Sequence, residues 1–304
     1  MPDIQRVDFN QHRNCLLISN GTAEVIIATE IGPRIVGYRL VGKENVFAEL
    51  GANSVEKTEF GEWHPWGGHR LWHSPEAMPR SYYPDDIPVQ VETINDNSVK
   101  LTEAVEPPTG IQKEMKVILH PEGSRVTILH KLTNHGIWPV ELAPWALTIV
   151  RGGGTVIIPN EPFVPHSDDL LPARTMILWK FTDLGDPRWT FGSKYIRLQS
   201  DGTRPMPQKI GVGNKQEWAA YLGEGSLFVK RFPYVEGEAY PDDGCNFETF
   251  TEGLFTELES LGPLCWLQPG ESTVHVEDWF LFDGVKIDET DESIDKNFLP
   301  LIEE

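Results

Sequence analysis

No apolar run in this 304-residue chain approaches the ~20 residues that a membrane-spanning helix needs. The opening residues, MPDIQRVDFNQHRNCLL, lack the basic-then-apolar pattern of a secretory signal, so the cytoplasm is the expected compartment. Cysteine is scarce: Cys15, Cys245 and Cys265 show no CxxC spacing, which fits a reduced environment and argues against a structural zinc site. Positive charge is also short, with 26 Lys and Arg against 46 Asp and Glu and a formal net charge of −20. Such a surface repels phosphate backbones and disfavours nucleic acid as a partner. It leaves neutral ligands open, and equally an anion held in a local basic cleft. No serine or cysteine sits in a nucleophile motif. The glycines after Arg151 lack the Lys-Ser/Thr of a phosphate loop.

What is present is short apolar, β-branched runs with turn residues between them. AEVIIAT and RIVGYRL flank Gly32-Pro33; VQVETIND and SVKLTEAVE flank a hairpin turn at Asn95-Asp96-Asn97. In IQKEMKVIL, Lys113, Met115, Val117 and Leu119 share one face. The pattern continues to VHVEDWFLF, and a 3.6-residue period is rare outside the C-terminal stretch. Many short strands, 27 Gly and 24 Pro predict a large all-β sandwich. Without a linker-like stretch or a fixed-period repeat, residues 1–304 read as one domain. Residues 284–304 form an acidic tail whose FLPLI docks back on the body.

Two segments carry chemistry. In LFTELESLG, Glu257 and Glu259 lie two apart on a strand, so both take the face opposite Leu258. If Leu258 faces the core, both carboxylates stand on an open or concave face, where desolvation raises a carboxyl pKa toward general acid/base range. The alternative is a solvated face with two charges. The second segment is GEWHPWGGHRLWHSPEAMPRSYYPDD, rich in His, Trp, Arg and carboxylates. On a helix, His69 and His73, with His64 and Glu76 nearby, would form a zinc site. The preceding glycines and Pro75 argue against that helix, so no metal and no cofactor are expected.

Three stretches resemble the galactose mutarotase-like superfamily, among proteins related to aldose 1-epimerases. They are LLISNGTAEVIIATEIGPRIVGYRLVGKENVF, VTILHKLTNHGIWPVELAPWALTIV, and Leu267-Gln268-Pro269-Gly270-Glu271 followed by VHVEDWFLF. Together they span most of the chain. The resemblance implies a β-supersandwich with a carbohydrate site on its concave face, and a small-molecule carbohydrate as partner. Mutarotases of this kind use a glutamate base and a histidine acid to open and reclose a pyranose ring. Glu257, Glu259 and Glu248 (in CNFETF) are the glutamate candidates. Aligning on Pro139-Val140 puts Trp145 where the acid would stand, a departure from the family, while His135 belongs to the preceding turn. Trp145 is then either a stacking platform for a sugar face or a core residue.

The family's H-G-G-type loop finds its nearest match in Gly67-Gly68-His69-Arg70. This makes His69 the acid candidate and gives Arg70 a planar fork for a carboxylate or phosphate. Trp66, Trp72, Tyr82, Asp85, His64 and His73 complete the expected ligand contacts, and Tyr83 and Asp86 are placed to join them. The bland alternative is an irregular loop whose tryptophans plug the sandwich. Two functions follow: an aldose 1-epimerase-like isomerase that interconverts sugar anomers, or a non-catalytic carbohydrate-binding module. A lyase acting on a uronate comes third.

Overall fold

The computed structural model describes residues 2–288 and 290–303. Two large antiparallel sheets, of 11 and 10 strands, pack face to face, with a small two-stranded sheet beside them. Alternation builds this core. On Ile111–Leu119, every second residue, including Lys113, is buried and its neighbours are half-buried. Leu258, Leu132, Val117 and Trp279 meet in the space between the sheets. The expected hairpin forms where Asn95 pairs with Ser98 across Asp96-Asn97.

One correction concerns the segment rich in His and Trp. Gly68–Ser74 is neither a helix nor an irregular loop but a strand buried along its whole length. It pairs with Val140–Arg151 on one side and Arg34–Leu40 on the other. A central strand carrying two histidines and an arginine is tolerated because each finds a charged or hydrogen-bonding partner in the interior. The two glycines serve this packing. Gly67 and Gly68 have φ of +83° and +69°, and a Cβ would meet the Ala48 and Ile35 carbonyl oxygens at 2.1 and 2.3 Å. They admit neighbouring backbone rather than a ligand.

The C-terminal stretch forms two short helices, Asp291–Asn297 and Leu299–Glu303. Thr290 caps the first by accepting the Ser293 N–H. Ile294, Phe298 and Ile302 are buried with Tyr195 and Trp218 against the outer face of the 10-stranded sheet. Among the described residues, no helix is long and apolar enough to cross a membrane.

Candidate active site: an aromatic cleft on the 11-stranded sheet

The 11-stranded sheet places Gly68–Ser74, Val140–Arg151, Phe255–Leu261, Phe247–Glu252 and Gln208–Val212 side by side. Register fixes what faces outward. Arg70 pairs with Leu147, Leu147 with Glu259, and Glu259 with Glu248. The next row runs from Ile149 through Glu257 and Phe250 to Lys209. Trp72 pairs with Trp145. Apart from Glu248 and Glu259, which lie beneath, these side chains floor a cleft of about 650 Å³, walled by Trp63, Glu76, Tyr82, Trp179, Phe181 and Phe255. A volume of that size falls within the range of small-molecule sites.

Glu257 and Glu259 do share the face opposite Leu258, which is fully buried in the core. The three candidate glutamates nevertheless differ. Glu259 is buried in the floor, accepting from Trp145 Nε1 at 2.9 Å and from Lys209 Nζ at 2.9 Å. Glu248 pairs with the same ammonium at 2.7 Å, and burial raises its pKa well above the carboxylate range. Burial works against the Lys209 ammonium, but the two glutamates outweigh it and raise its pKa. Glu257 alone of the three lines the open cleft. Burial, reinforced by the charge of Glu259, pushes its pKa up to about 7, while Arg70 and Lys209 hold the shift back.

Arg70 lies with its guanidinium carbon 4.3 Å from the Trp72 ring centroid and 5.3 Å from that of Trp63. Its Nη2 is 3.7 Å from Glu257 Oε1. Tyr82 donates to Glu76 at the rim and packs edge-on against Trp63 and Trp72. Trp145 is neither a plain core residue nor an exposed platform. Its ring is almost fully covered, lines the floor, and meets Trp72 edge to face.

The structure brings Arg70, Trp72, Tyr82, Trp145 and Glu257 together in the cleft, with Glu248 and Glu259 in its charged floor. It does not bring the histidines there. His69 and Arg70 are adjacent on one strand, so alternation sends them to opposite faces. His69 points between the sheets, where its Nδ1 lies 2.9 Å from Thr148 Oγ1 and its Nε2 2.7 Å from His130 Nε2. Burial, with the charges of His130 and Lys230, lowers its pKa well below the ordinary range, so it stays neutral. His73 takes the same inward face and lies 3.6 Å from Glu106. His64 stacks on Trp66 at 4.8 Å, and both meet Asp86 outside the cleft. Asp85 is held by Arg34 at 2.6 Å, and Tyr83 packs on Phe60.

The His69–His73 zinc arrangement does not form, because four residues along a strand put the rings about 13 Å apart. A different group, His69, His130 and Glu277, offers three ligand atoms within 4.8 Å of one another. Its hydrogen bonds account for it fully. His130 Nδ1 donates to the His275 carbonyl, so His130 Nε2 accepts from His69 Nε2 and His69 Nδ1 accepts from Thr148. Glu277 is paired with the Lys230 ammonium at 2.8 Å and accepts from Trp279. An ammonium already neutralises the carboxylate, and the two imidazoles share one proton. This is a hydrogen-bonded core network.

Sequence reasoning missed Trp63, Trp179, Phe181, Lys209, Phe250 and Phe255. Lys209, in QKIGVGN, left the clearest signal: a lysine inside an apolar strand, which needs a carboxylate partner when buried. Trp63 lay unnamed within the segment rich in His and Trp, and the remaining residues give no sign in local sequence, because the cleft gathers strands far apart in the chain.

No protein-family model matches this sequence, and comparison with curated proteins finds no match. Solved structures do match. A TPR-domain-containing protein from Parabacteroides distasonis superposes with a TM-score of 0.59 at 14% identity over 91% of this chain. This chain spans about half (49%) of that protein. A candidate aldose 1-epimerase from Escherichia coli K12 gives 0.53 at 14% identity, covering 88% of this chain and 98% of the other. A galactose mutarotase-like protein from Lactobacillus casei gives 0.52 at 11% identity, covering 88% and 100%. These likenesses show the fold: the chain has the galactose mutarotase-like β-sandwich.

Proposed function

We propose that this protein binds a carbohydrate in the aromatic cleft and that Glu257 exchanges a proton with the bound sugar, as an aldose 1-epimerase-like isomerase. One observation supports this above the others. Glu257 is the candidate glutamate that opens to the cleft, with a pKa pushed up to about 7 and Arg70 3.7 Å away. A carboxyl group poised near neutrality both takes and returns a proton at working pH. The tryptophan and tyrosine rings around it suit the apolar C–H faces of a pyranose. The chain's charge of −20 favours such a ligand over nucleic acid.

A second reading, a binding module without turnover, is favoured by a specific feature. Among the described residues lining the cleft there is no histidine to act as the partner acid. Anomer exchange followed by NMR on a panel of reducing sugars, uronic acids and sugar phosphates separates the two. Faster exchange with the protein, abolished in Glu257→Gln, supports the isomerase. Saturable binding without faster exchange supports the module, and equal exchange in wild type and Glu257→Gln removes Glu257 from the mechanism.

A further inference from the structure

We infer that the cleft is built for at least two linked sugar residues, so that its ligand is the end of an oligosaccharide rather than a free monosaccharide. This rests on the carbohydrate reading above and goes beyond it in naming the ligand's size. The aromatic side chains of the cleft fall into two groups. Trp63, Trp72, Trp145 and Tyr82 form one, with Trp72 centroids 5.5, 5.3 and 5.0 Å from the other three. Phe181, Phe250 and Phe255 form the second, with Phe250 6.3 Å from Phe181 and 6.0 Å from Phe255. Lys209 links the groups: its Nζ is 5.2 Å from the Trp145 ring centroid and 4.7 Å from that of Trp179, and it is the cross-strand neighbour of Phe250. All these residues line the same 650 Å³ space, of which one pyranose fills only a part.

The Trp63, Trp72 and Trp145 rings are buried and Tyr82 is half-buried at the rim, while Phe250, Phe255 and the nearby Trp179 are half-buried and Phe181 is exposed. Phe181 keeps 38% of its surface open. Large aromatic rings left open inside a cleft beside charged groups are surface waiting to be covered. Glu257 sits between the groups, with Arg70 on one side and Phe250, its cross-strand neighbour, on the other. If the reducing-end residue lies over Arg70 and Trp72, with its anomeric carbon by Glu257, the preceding residue lies over Phe181 and Phe250.

Isothermal titration on the full chain tests this with matched pairs: glucose with cellobiose and with maltose, galactose with galactobiose, and galacturonate with digalacturonate. The expected result is a disaccharide that binds roughly tenfold more tightly than its monosaccharide. Phe181→Ala, at an exposed position, should bring the disaccharide affinity down to that of the monosaccharide. A Phe250→Ala variant checked for wild-type melting temperature should do the same. Equal affinity for both members of every pair, or a gain that survives both substitutions, overturns the inference while leaving carbohydrate binding in place. Absence of binding by every sugar overturns both.

Discussion

Arg70 Nη2 lies 3.7 Å from Glu257 Oε1, so the contact reaches from Gly68–Ser74 over the intervening strand Val140–Arg151 to Phe255–Leu261. The guanidinium opposes the rise that burial gives the carboxyl. Removing the cation in Arg70→Met should therefore move the Glu257 titration to higher pH. A carboxyl-carbon NMR titration of wild type and variant reads this directly. A midpoint that stays near 7 or falls would show that the two groups do not interact.

The same titration sets the pH dependence of any proton exchange. Glu257 acts as a base only when ionised, so exchange should rise as pH passes through about 7 and level off above it. Its effect on stability has the opposite sense. A carboxyl whose folded pKa exceeds its unfolded value binds more protons when folded, so stability falls as pH rises from the ordinary carboxylate range to about 7. Glu257→Gln should remove the first dependence and reduce the second, as seen in rate and denaturant profiles between pH 4 and 9.

Lys209 holds Glu248 and Glu259 at 2.7 and 2.9 Å in a buried floor. Lys209→Met leaves buried carboxyl groups uncompensated and should destabilise the fold by about 3–5 kcal/mol. Lys209→Met combined with Glu259→Gln should recover much of the loss. Urea unfolding measures both, and additive losses would sink the coupling.

Acid should unfold the protein through its interior histidines. Burial lowers His130 and His275 to about 3. The unfolded chain takes up these protons from about pH 6.5 downward while the folded chain does not, so stability falls as pH drops from about 6.5 to 3. Replacing His275 with Asn should flatten that slope, measured by chemical denaturation across the range. An unchanged slope would place the acid sensitivity elsewhere.

Leu258 separates Glu257 from Glu259 and points into the core. Leu258→Ala should destabilise by about 2–5 kcal/mol, against a change within about 0.5 kcal/mol for Leu254→Ala, an exposed turn position. Similar losses for both in thermal unfolding would contradict the face assignment.

The residue sequence by itself determined the strands, the hairpin at Asn95–Ser98, the inward row on Ile111–Leu119, and the shared face of Glu257 and Glu259. All of these depend on a period of two or on turn chemistry, which act within a few residues. Local sequence also marked Arg70, Trp72 and Tyr82, because aromatic and cationic residues crowded in one segment stand out, whereas Trp145 was marked by the family resemblance. Only tertiary structure decided which face of Gly68–Ser74 meets the cleft, and so parted His69 from Arg70. It alone left Glu257 open to the cleft and buried Glu248 and Glu259, because exposure depends on what packs from other strands. It alone brought Lys209, Trp179, Phe181 and Phe250 to the same cleft. The physical reason is range: alternation is a property of one strand, whereas a cleft and its pKa shifts arise from strands paired across more than a hundred residues of chain.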